Sequence, residues 1–333
     1  MKFSRIFSAC FMIVFLLNAC GPTAAPASDK RLHVVSTVSP ITNIIYNIGG
    51  EHIALTGIIP EGSDSHTFEP APSTAKLLVQ ADVIFVNGLH LEEPTRKLAA
   101  ANLKAGAEII SLGEQTITEA EYIFDFSFPK SEGNPNPHLW MNPLNALKYA
   151  EVVRDTLSRR DPGNAADYAK NYEAFKIRIT ALDQAIRESI NTIPDRNRKL
   201  LTYHDSFAYF APRYNMTVLG AIQPASFSEP SPREVADLIR QIKASQVTAI
   251  FGSEVFPSAI LEQIAKETGA KFDASLRDDD LPGLVGEANH SYLGLMVEDV
   301  RTITQDLGGN PAALDHFDTS NVTGLDQSVE QKQ

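Results

Sequence analysis

The chain has 333 residues, 43% of them hydrophobic and 21% charged, and its formal net charge at pH 7 is −12. This length favours two domains of ordinary size over one large core, and the hydrophobic fraction argues against a chain that is disordered as a whole. The strong negative charge argues against a nucleic-acid-binding protein, because such a chain would repel phosphates.

The N-terminus has the pattern of an export signal. Lys2 and Arg5 form a short positive region, and the apolar run from Ile6 to Leu17 is too short to span a bilayer as a stable helix. The run leads into Asn-Ala-Cys, ending at Cys20, which resembles the bacterial lipobox. We therefore predict a signal peptide over residues 1–19 and a protein anchored in the cell envelope by lipid on Cys20. An ordinary signal peptide with a chance cysteine is the alternative.

The chain has only two cysteines, and neither is predicted to serve the folded protein. Cys10 would be removed with the signal peptide and Cys20 would carry lipid, so we expect neither a disulfide nor a thiolate metal site. Residues 20–30 are small and polar and include proline, which predicts a flexible lipidated tether. Residues 311–333 are polar without an apolar period, which predicts a frayed tail.

Strands and helices alternate in the first half of the chain. Residues 32–37 are rich in β-branched side chains and predict a strand, and isoleucines at helical spacing predict a helix from Pro40 that stops at Gly49. The remaining elements predicted here are strands over Ile53–Ile59, Val83–Val86 and Glu108–Ser111, with helices over Ser73–Ala81 and Glu92–Leu103.

The second half repeats this alternation. Ser231 and Glu234 form a capping box with proline at the first helical position, which predicts a helix up to Ala244. Strands are predicted over Leu200–Tyr203, Thr217–Ala221, Thr248–Phe251 and Lys271–Ala274. Further helices are predicted over Ser206–Tyr214, Ser258–Thr268 and Tyr292–Leu307.

A helical stretch separates the two halves. After a break around Pro162, residues 165–193 contain neither proline nor glycine, which predicts one helix roughly 45 Å long. The predicted fold class is α/β with two lobes, each a mostly parallel sheet flanked by helices, joined by one long linker helix. We assign the N-terminal lobe to residues 31–160, the linker helix to 161–194 and the C-terminal lobe to 195–310.

Four polar segments follow predicted strands or lie in loops that lead into helices. His66 lies in a loop after a strand, His138 lies between prolines beside the only tryptophan, and His204 directly follows a strand. The fourth segment is the acidic run Asp278-Asp279-Asp280. Each segment alone fits an ordinary turn, connector or core histidine. Ligands of open α/β sheets bind at the carboxyl ends of strands, so we expect the four segments to converge between the lobes.

The same segments resemble the zinc- and manganese-binding proteins of ABC importers, the ZnuA/TroA-like family. The matching motifs are His66-Thr67-Phe68-Glu69-Pro70, Pro137-His138-Leu139-Trp140, His204 ahead of Tyr209-Phe210, and Asp279 ahead of a helix that begins near Tyr292. The resemblance covers nearly the whole mature chain. It implies a metal ion held by His66, His138, His204 and Asp279, with Asp278 or Asp280 as the alternative carboxylate. It also implies a permease partner in the membrane.

The donor set bears on which metal is bound. Three imidazoles with one carboxylate suit zinc, copper, nickel or iron and do not suit magnesium or calcium. Histidine at the third position accompanies zinc in the resembled family and glutamate accompanies manganese, so His204 favours zinc, with manganese or iron as the alternative. The absence of histidine from residues 119–136, where many zinc members carry a His-rich loop, weakens this preference. Glu69 and Glu254 are candidate acceptors for the ring N–H groups of ligating histidines.

We therefore expect a monomeric, extracytoplasmic substrate-binding lipoprotein that captures a divalent metal for import, with no enzymatic activity and no nucleic-acid partner. A zinc hydrolase is disfavoured because the chain lacks H-E-x-x-H, H-x-x-E-H and G-x-S-x-G motifs. A surface adhesin is a further alternative, although no segment specifies a host partner. Because a single long helix resists wide hinge closure, we expect small lobe tilts and local rearrangement near Asp279 on metal release.

Overall fold

The computed structural model describes residues 30–223, 229–253, 255 and 259–324. The predictions for the signal peptide, for lipidation of Cys20 and for Glu254 therefore fall outside the described residues. Within the described ranges, no helix combines the length and the apolar character needed to cross a membrane.

The N-terminal lobe is built on one parallel sheet. Its strands are β1 (Leu32–Ser36), β2 (Ile53–Gly57), β3 (Val83–Val86) and β4 (Glu108–Ser111). They pair in the order β2-β1-β3-β4. The helices of this lobe are α1 (Ser39–Gly49), α2 (Thr74–Gln80), α3 (Glu93–Asn102) and α4 (Leu112–Thr116). Since the strand order reverses between β1 and β3, the carboxyl ends of these strands open onto a crevice.

Two helices connect the lobes. They are α5 (Pro143–Arg160) and α6 (Ala165–Asn191), separated by a short 3-10 turn at Pro162–Asn164. The 27 residues of α6 span about 40 Å. Its buried positions, which include Tyr168, Phe175 and Ile179, recur at helical spacing and pack against α1 and α9 (Tyr292–Asp306) as well as α5. The linker is therefore part of a core that both lobes share.

The C-terminal lobe repeats the architecture of the first. Its strands are β5 (Lys199–Thr202), β6 (Thr217–Ala221), β7 (Ala249–Phe251) and β8 (Lys271–Asp273), all parallel and in the order β6-β5-β7-β8. Its helices are α7 (Pro232–Ser245), α8 (Ala259–Thr268) and α9. The strand order reverses between β5 and β7, so a second crevice opens after β5, opposite the first. The predicted two-lobe α/β fold is confirmed.

The segment after β5 differs from the helix predicted over residues 206–214. It forms turns and one 3-10 turn, Pro212–Tyr214. Pro212 has no N–H to donate, and its ring would clash with the carbonyl of Ala208 in a continuous α-helix. Phe207 and Phe210 are nevertheless buried and pack edge to face, so the apolar pattern reflects burial in the core and not helical periodicity.

The C-terminal tail, expected to fray over residues 311–333, is packed as far as residue 324. Leu314 is buried in the core. Asn47 of α1 donates its amide N–H to Asn321 and accepts from the backbone N–H of Val322. Asp318 pairs with Arg178 of α6. The polar composition of the tail therefore reflects side-chain hydrogen bonding to the N-terminal lobe and linker, while residues 325–333 lie outside the described part.

Candidate metal centre

Three of the four predicted ligands lie together between the lobes. The Nε2 atom of His138 is 3.2 Å from Nε2 of His66 and 2.9 Å from Nε2 of His204. Among the described residues, these three are the one group of histidine, cysteine or acidic side chains whose ligand atoms all lie within 4.8 Å of one another. Three imidazole nitrogens that lie this close together form a suitable binding site for a divalent transition metal.

His138 is held in a fully buried loop. The side-chain amide of Asn87, at the end of β3, donates to the carbonyl of Pro137, and its oxygen accepts from the hydroxyl of Tyr149 in α5. The backbone N–H of Asn87 donates in turn to the buried carboxyl of Glu92. Hydrogen bonds from the end of β3, which is itself bonded to α5, therefore fix the loop that carries His138.

Asn136 sets the tautomer of His138. Its side-chain NH₂ donates to the backbone carbonyl of Asp205, so its oxygen faces the backbone N–H and the Nδ1 atom of His138 at 3.1 and 2.8 Å. Because that oxygen can only accept, Nδ1 must carry the proton and Nε2 must carry the lone pair. The lone pair of Nε2 therefore points into the histidine group.

His204 occupies the equivalent position in the C-terminal lobe, two residues past the end of β5. The hydroxyl of Thr202 donates to its backbone carbonyl, and its Nδ1 atom lies 2.6 Å from Oε1 of Gln223. Gln223 follows β6 and reaches the site because the backbone of Gln223 pairs with that of Tyr203. With Nδ1 donating to Gln223, Nε2 of His204 also presents a lone pair to the group.

His66 is partly buried and completes the group from the N-terminal lobe. Asp64 accepts hydrogen bonds from the backbone N–H of His66 and from the hydroxyl of Thr67, which closes a tight turn around the histidine. The ring of Phe128 covers the site, with its centroid 5.5 Å from the ring of His66 and 5.8 Å from that of His138. A cavity of about 140 Å³ beside the site is lined in part by His66, Phe128 and Glu132.

The three consecutive aspartates have different contacts. Asp278 Oδ2 is 3.7 Å from Nε2 of His204, and its backbone carbonyl accepts from the indole N–H of Trp140. The carboxylate of Asp279 accepts instead from the backbone N–H and hydroxyl of Ser65, at 2.9 and 3.0 Å. Asp280 accepts from the backbone N–H of Gly62. The structure therefore places Asp278 beside His204 and Asp279, the carboxylate chosen from the sequence, beside Ser65, which directly precedes His66, and neither carboxylate joins the group of three histidine ligand atoms.

Burial keeps His66 and His138 neutral. Loss of solvent lowers the pKa of both His66 and His138 well below the ordinary value, and the neighbouring charge of His204 lowers each pKa further. A neutral imidazole is the form that binds a metal, so these rings are in their ligating state at pH 7.

Two carboxyl groups lie behind Asn136, which donates weakly to Asp125 at 3.4 Å. Burial, and then the charge of Asp205, raise the pKa of Asp125 to about 8. Asp205 also accepts from the backbone N–H of Ser127, and the Ser127 hydroxyl donates to the carbonyl of Gln223. The loop around Ser127 thus bridges the N-terminal lobe to the C-terminal lobe beside the histidines.

The partners of the histidine rings differ from those expected. Asn136 and Gln223 accept from His138 and His204, whereas the side chain of Glu69, only three residues after His66, is exposed to solvent. The role of Asn136 could be inferred from the sequence, because an amide side chain can form a hydrogen bond to a histidine two residues later. Gln223 has none, since it reaches the site only through the pairing of β5 and β6.

The fold and this buried, nitrogen-rich centre define a two-lobe substrate-binding protein of the metal-transport class. Residues 34–306 match the family model described as zinc-uptake complex component A, periplasmic, and the chain belongs to that family. The resemblance stated from the sequence motifs is therefore confirmed, and the family is one of solute-binding transport proteins.

The chain is similar to named relatives over nearly its full length. It is 29% identical over 311 residues to the metal ABC transporter substrate-binding lipoprotein SloC of Streptococcus mutans, covering 92% of this chain and 99% of that protein. It is 28% identical over 305 residues to the manganese-binding lipoprotein MntA of Halalkalibacterium halodurans, covering 90% and 98%. The Mn-bound periplasmic metal-binding protein of Candidatus Liberibacter asiaticus superposes with a TM-score of 0.73 at 27% identity, covering 83% and 100%.

Proposed function

We propose that this protein captures zinc outside the membrane with His66, His138, His204 and one carboxylate, Asp279 or its neighbour Asp278 or Asp280, and delivers the ion to an ABC permease. The observation that carries the proposal is the convergence of three imidazole rings, in which the Nε2 atoms of His138 and His204 are 2.9 Å apart. Two neutral nitrogen lone pairs at that distance repel each other, and a cation between them converts the repulsion into attraction.

The distances within the site support a tetrahedral ion. Metal–ligand bonds of 2.0–2.2 Å in a tetrahedron separate neighbouring ligand atoms by about 3.4 Å. The edges between histidine nitrogens measure 3.2 and 2.9 Å, and that from His204 to Asp278 measures 3.7 Å. Small shifts of the three histidine rings therefore suffice to hold the ion, whereas a carboxylate of the aspartate run must move closer to the histidine nitrogens to become the fourth ligand.

The nitrogen-rich donor set favours zinc over manganese. Imidazole suits zinc and iron, whereas manganese prefers carboxylate, carbonyl and water oxygens. Manganese is the second candidate, because one relative is named a manganese-binding lipoprotein and the similar Liberibacter structure is Mn-bound. We further propose that the protein is exported, acts as a monomer and is anchored by lipid on Cys20, as its N-terminal sequence predicts.

Elemental analysis of the purified protein, with competition titrations of Zn²⁺ against Mn²⁺, tests this proposal. We expect one equivalent of zinc per chain and preference for zinc when both ions compete for the metal-free protein. His138→Ala should abolish high-affinity binding, because it removes the nitrogen shared by both short contacts. His52→Ala is the matched control, since His52 pairs with Asp167 on the surface. Binding by His138→Ala that equals the unaltered protein would overturn the proposed site.

A further inference from the structure

A cavity connects the histidine group to the protein surface on the side of His66. His138 and His204 are buried, at 0% and 1% exposure, whereas His66 is partly exposed. His66 lines the cavity of about 140 Å³ described above, which we call the inner cavity, and the exposed side chains of His90 and Glu132 line it as well. The accessible side of the metal centre is therefore reached through the inner cavity.

A second, larger cavity continues outward from the first. This outer cavity measures about 590 Å³ and shares Leu89, His90 and Pro135 with the inner cavity. The acidic and lysine side chains along the two cavities are Glu114, Glu119, Lys130 and Glu132. Three carboxylates against one ammonium give the path a negative charge, which attracts cations and raises their local concentration.

The backbone places His90 where the two cavities meet. Leu89 and His90 have φ angles of 50° and 66°, in the left-handed region that is unusual for residues other than glycine. The turn is held because the backbone N–H of Leu89 donates to Glu114 and that of Leu91 donates to the carbonyl of Gly88. Such strained residues cluster at functional sites, where the surrounding structure maintains them. Here the strained turn puts an imidazole between the surface and His66.

Phe128 stands at the inner end of the path. Its side chain lines the inner cavity, and its ring centroid is 5.5 Å from that of His66 and 5.8 Å from that of His138. The preceding residue, Ser127, is fixed to the C-terminal lobe by its hydrogen bonds to Asp205 and Gln223. A phenyl ring offers no ligand atom, so Phe128 narrows the access to the histidines without holding the ion.

We propose that the metal ion enters and leaves through these two cavities, with Glu132 and His90 as transient ligands that pass it to His66 and with Phe128 as the gate. This inference rests on the proposed function. Carboxylate oxygen and imidazole nitrogen both bind divalent transition metals. A group that contacts the ion only in transit lowers the barrier for entry and for release equally. Its removal therefore slows both rates by the same factor and leaves the affinity unchanged, whereas removal of a ligand lowers the affinity.

The first test measures the rates of zinc association and release in Glu132→Gln, His90→Gln and the double variant of the full chain. Stopped-flow fluorescence of Trp140, whose ring lies 5.1 Å from that of His138, follows association, and excess chelator drives release. We expect each single variant to slow both rates about threefold and the double variant to slow them about tenfold, with the Kd kept within about twofold. Salt should slow association less in Glu132→Gln than in the unaltered protein, because salt screens the attraction of the carboxylate.

Matched controls carry the same substitutions away from the cavities. Glu173 pairs with Lys176 on the surface of α6, and His52 pairs with Asp167. Glu173→Gln and His52→Gln should exchange zinc at the rates of the unaltered protein. Unchanged rates in the double variant would overturn the route. Weaker affinity with faster release in the double variant would make its two positions ligands of the bound ion and overturn their transient role.

The second test closes the route with a bulky group. Asn134 is exposed and lines the inner cavity. Asn134→Cys, made together with Cys10→Ser and Cys20→Ser, carries the only thiol of the chain. A bulky maleimide on that thiol should slow association and release by about tenfold or more without changing the Kd. Ala181→Cys, on the exposed face of α6, is the labelled control. Exchange at full rate after complete labelling of Asn134→Cys would overturn the proposal.

The gate predicts a change of opposite sign. Phe128→Ala should accelerate association and release together, by roughly fivefold, because it widens the inner end of the path; rates equal to those of the unaltered protein would overturn the role of the gate. Absence of zinc binding by the unaltered protein would overturn the proposed function and the route with it. Zinc binding with full-rate exchange in the double variant and in the labelled protein would overturn the route alone.

Discussion

Replacing Asn136 by alanine tests the geometry of the site most directly. Asn136 accepts from the backbone N–H and Nδ1 of His138 and donates to Asp205, and His138 is fully buried. Without Asn136, the Nδ1–H group loses its acceptor and the ring can turn or switch tautomer, which moves the lone pair away from the metal. Loss of such a partner costs about 10- to 100-fold in metal affinity, or about 1.4 to 2.8 kcal/mol.

The assay is a chelator competition titration with Zn²⁺ at pH 7.5, accompanied by thermal unfolding of the metal-free protein. Asn102→Ala is the matched control, because Asn102 donates only to the carbonyl of Leu98 near the end of α3. We expect Asn102→Ala to bind zinc as the unaltered protein does. Zinc affinity of Asn136→Ala within twofold of the unaltered protein, with its fold intact, would refute the argument that Asn136 fixes the tautomer.

Three further outcomes follow from the site and its surroundings. Zinc affinity should stay nearly constant from pH 7.5 to about 6 and fall only at more acidic pH, because burial lowers the pKa of His66 and His138 well below the ordinary 6.5 and delays the competition of protons for these imidazoles; a loss of affinity that begins above pH 6.5 in competition titrations would contradict this reasoning. Trp140→Phe removes the donor to the Asp278 carbonyl and should weaken binding by about tenfold in competition titrations; in the unaltered protein, the fluorescence of this single tryptophan should change as zinc is added. Burial raises the pKa of Glu92 from its ordinary 4.5 to about 7, so the folded state holds this proton more tightly and the contribution to stability, about 3 kcal/mol, is present below pH 4.5 and lost as pH rises through 7. The free energy of unfolding of Glu92→Gln, measured with denaturant, should not show that loss. Identical pH profiles for Glu92→Gln and the unaltered protein would contradict the prediction.

Much of the fold is visible in local patterns. The strand β3 is an uninterrupted apolar run bounded by polar residues, and the capping box at Ser231 and Glu234 marks the start of α7 as predicted. The histidines that precede or follow prolines, aromatics and strand ends were also recognisable, because the ends of parallel strands meet at one edge of a sheet. These features depend on neighbours within about ten residues.

The features that escaped prediction depend on contacts distant in sequence. The hydrogen bond from Ser65 to Asp279 joins residues more than 200 positions apart. Gln223 reaches His204 only through strand pairing. The order of the tail as far as residue 324 comes from Asn47, whose side chain bonds to residues more than 270 positions later. Polar side chains give no periodic signal for such pairings.

The packed tail has a mechanical consequence. The chain leaves the C-terminal lobe at the end of α9 and returns to α1, where Asn321 and Val322 bond to Asn47. Besides the contacts within the cleft, the lobes are therefore joined at two places, by α6 and by this returning strap. Two lobes joined at two places can rotate about the line through those places, but rotation about other axes is restricted. The strap therefore restricts the cleft to opening in one direction. Lengthening the strap by a few glycines should allow the lobes to rotate in other directions as well.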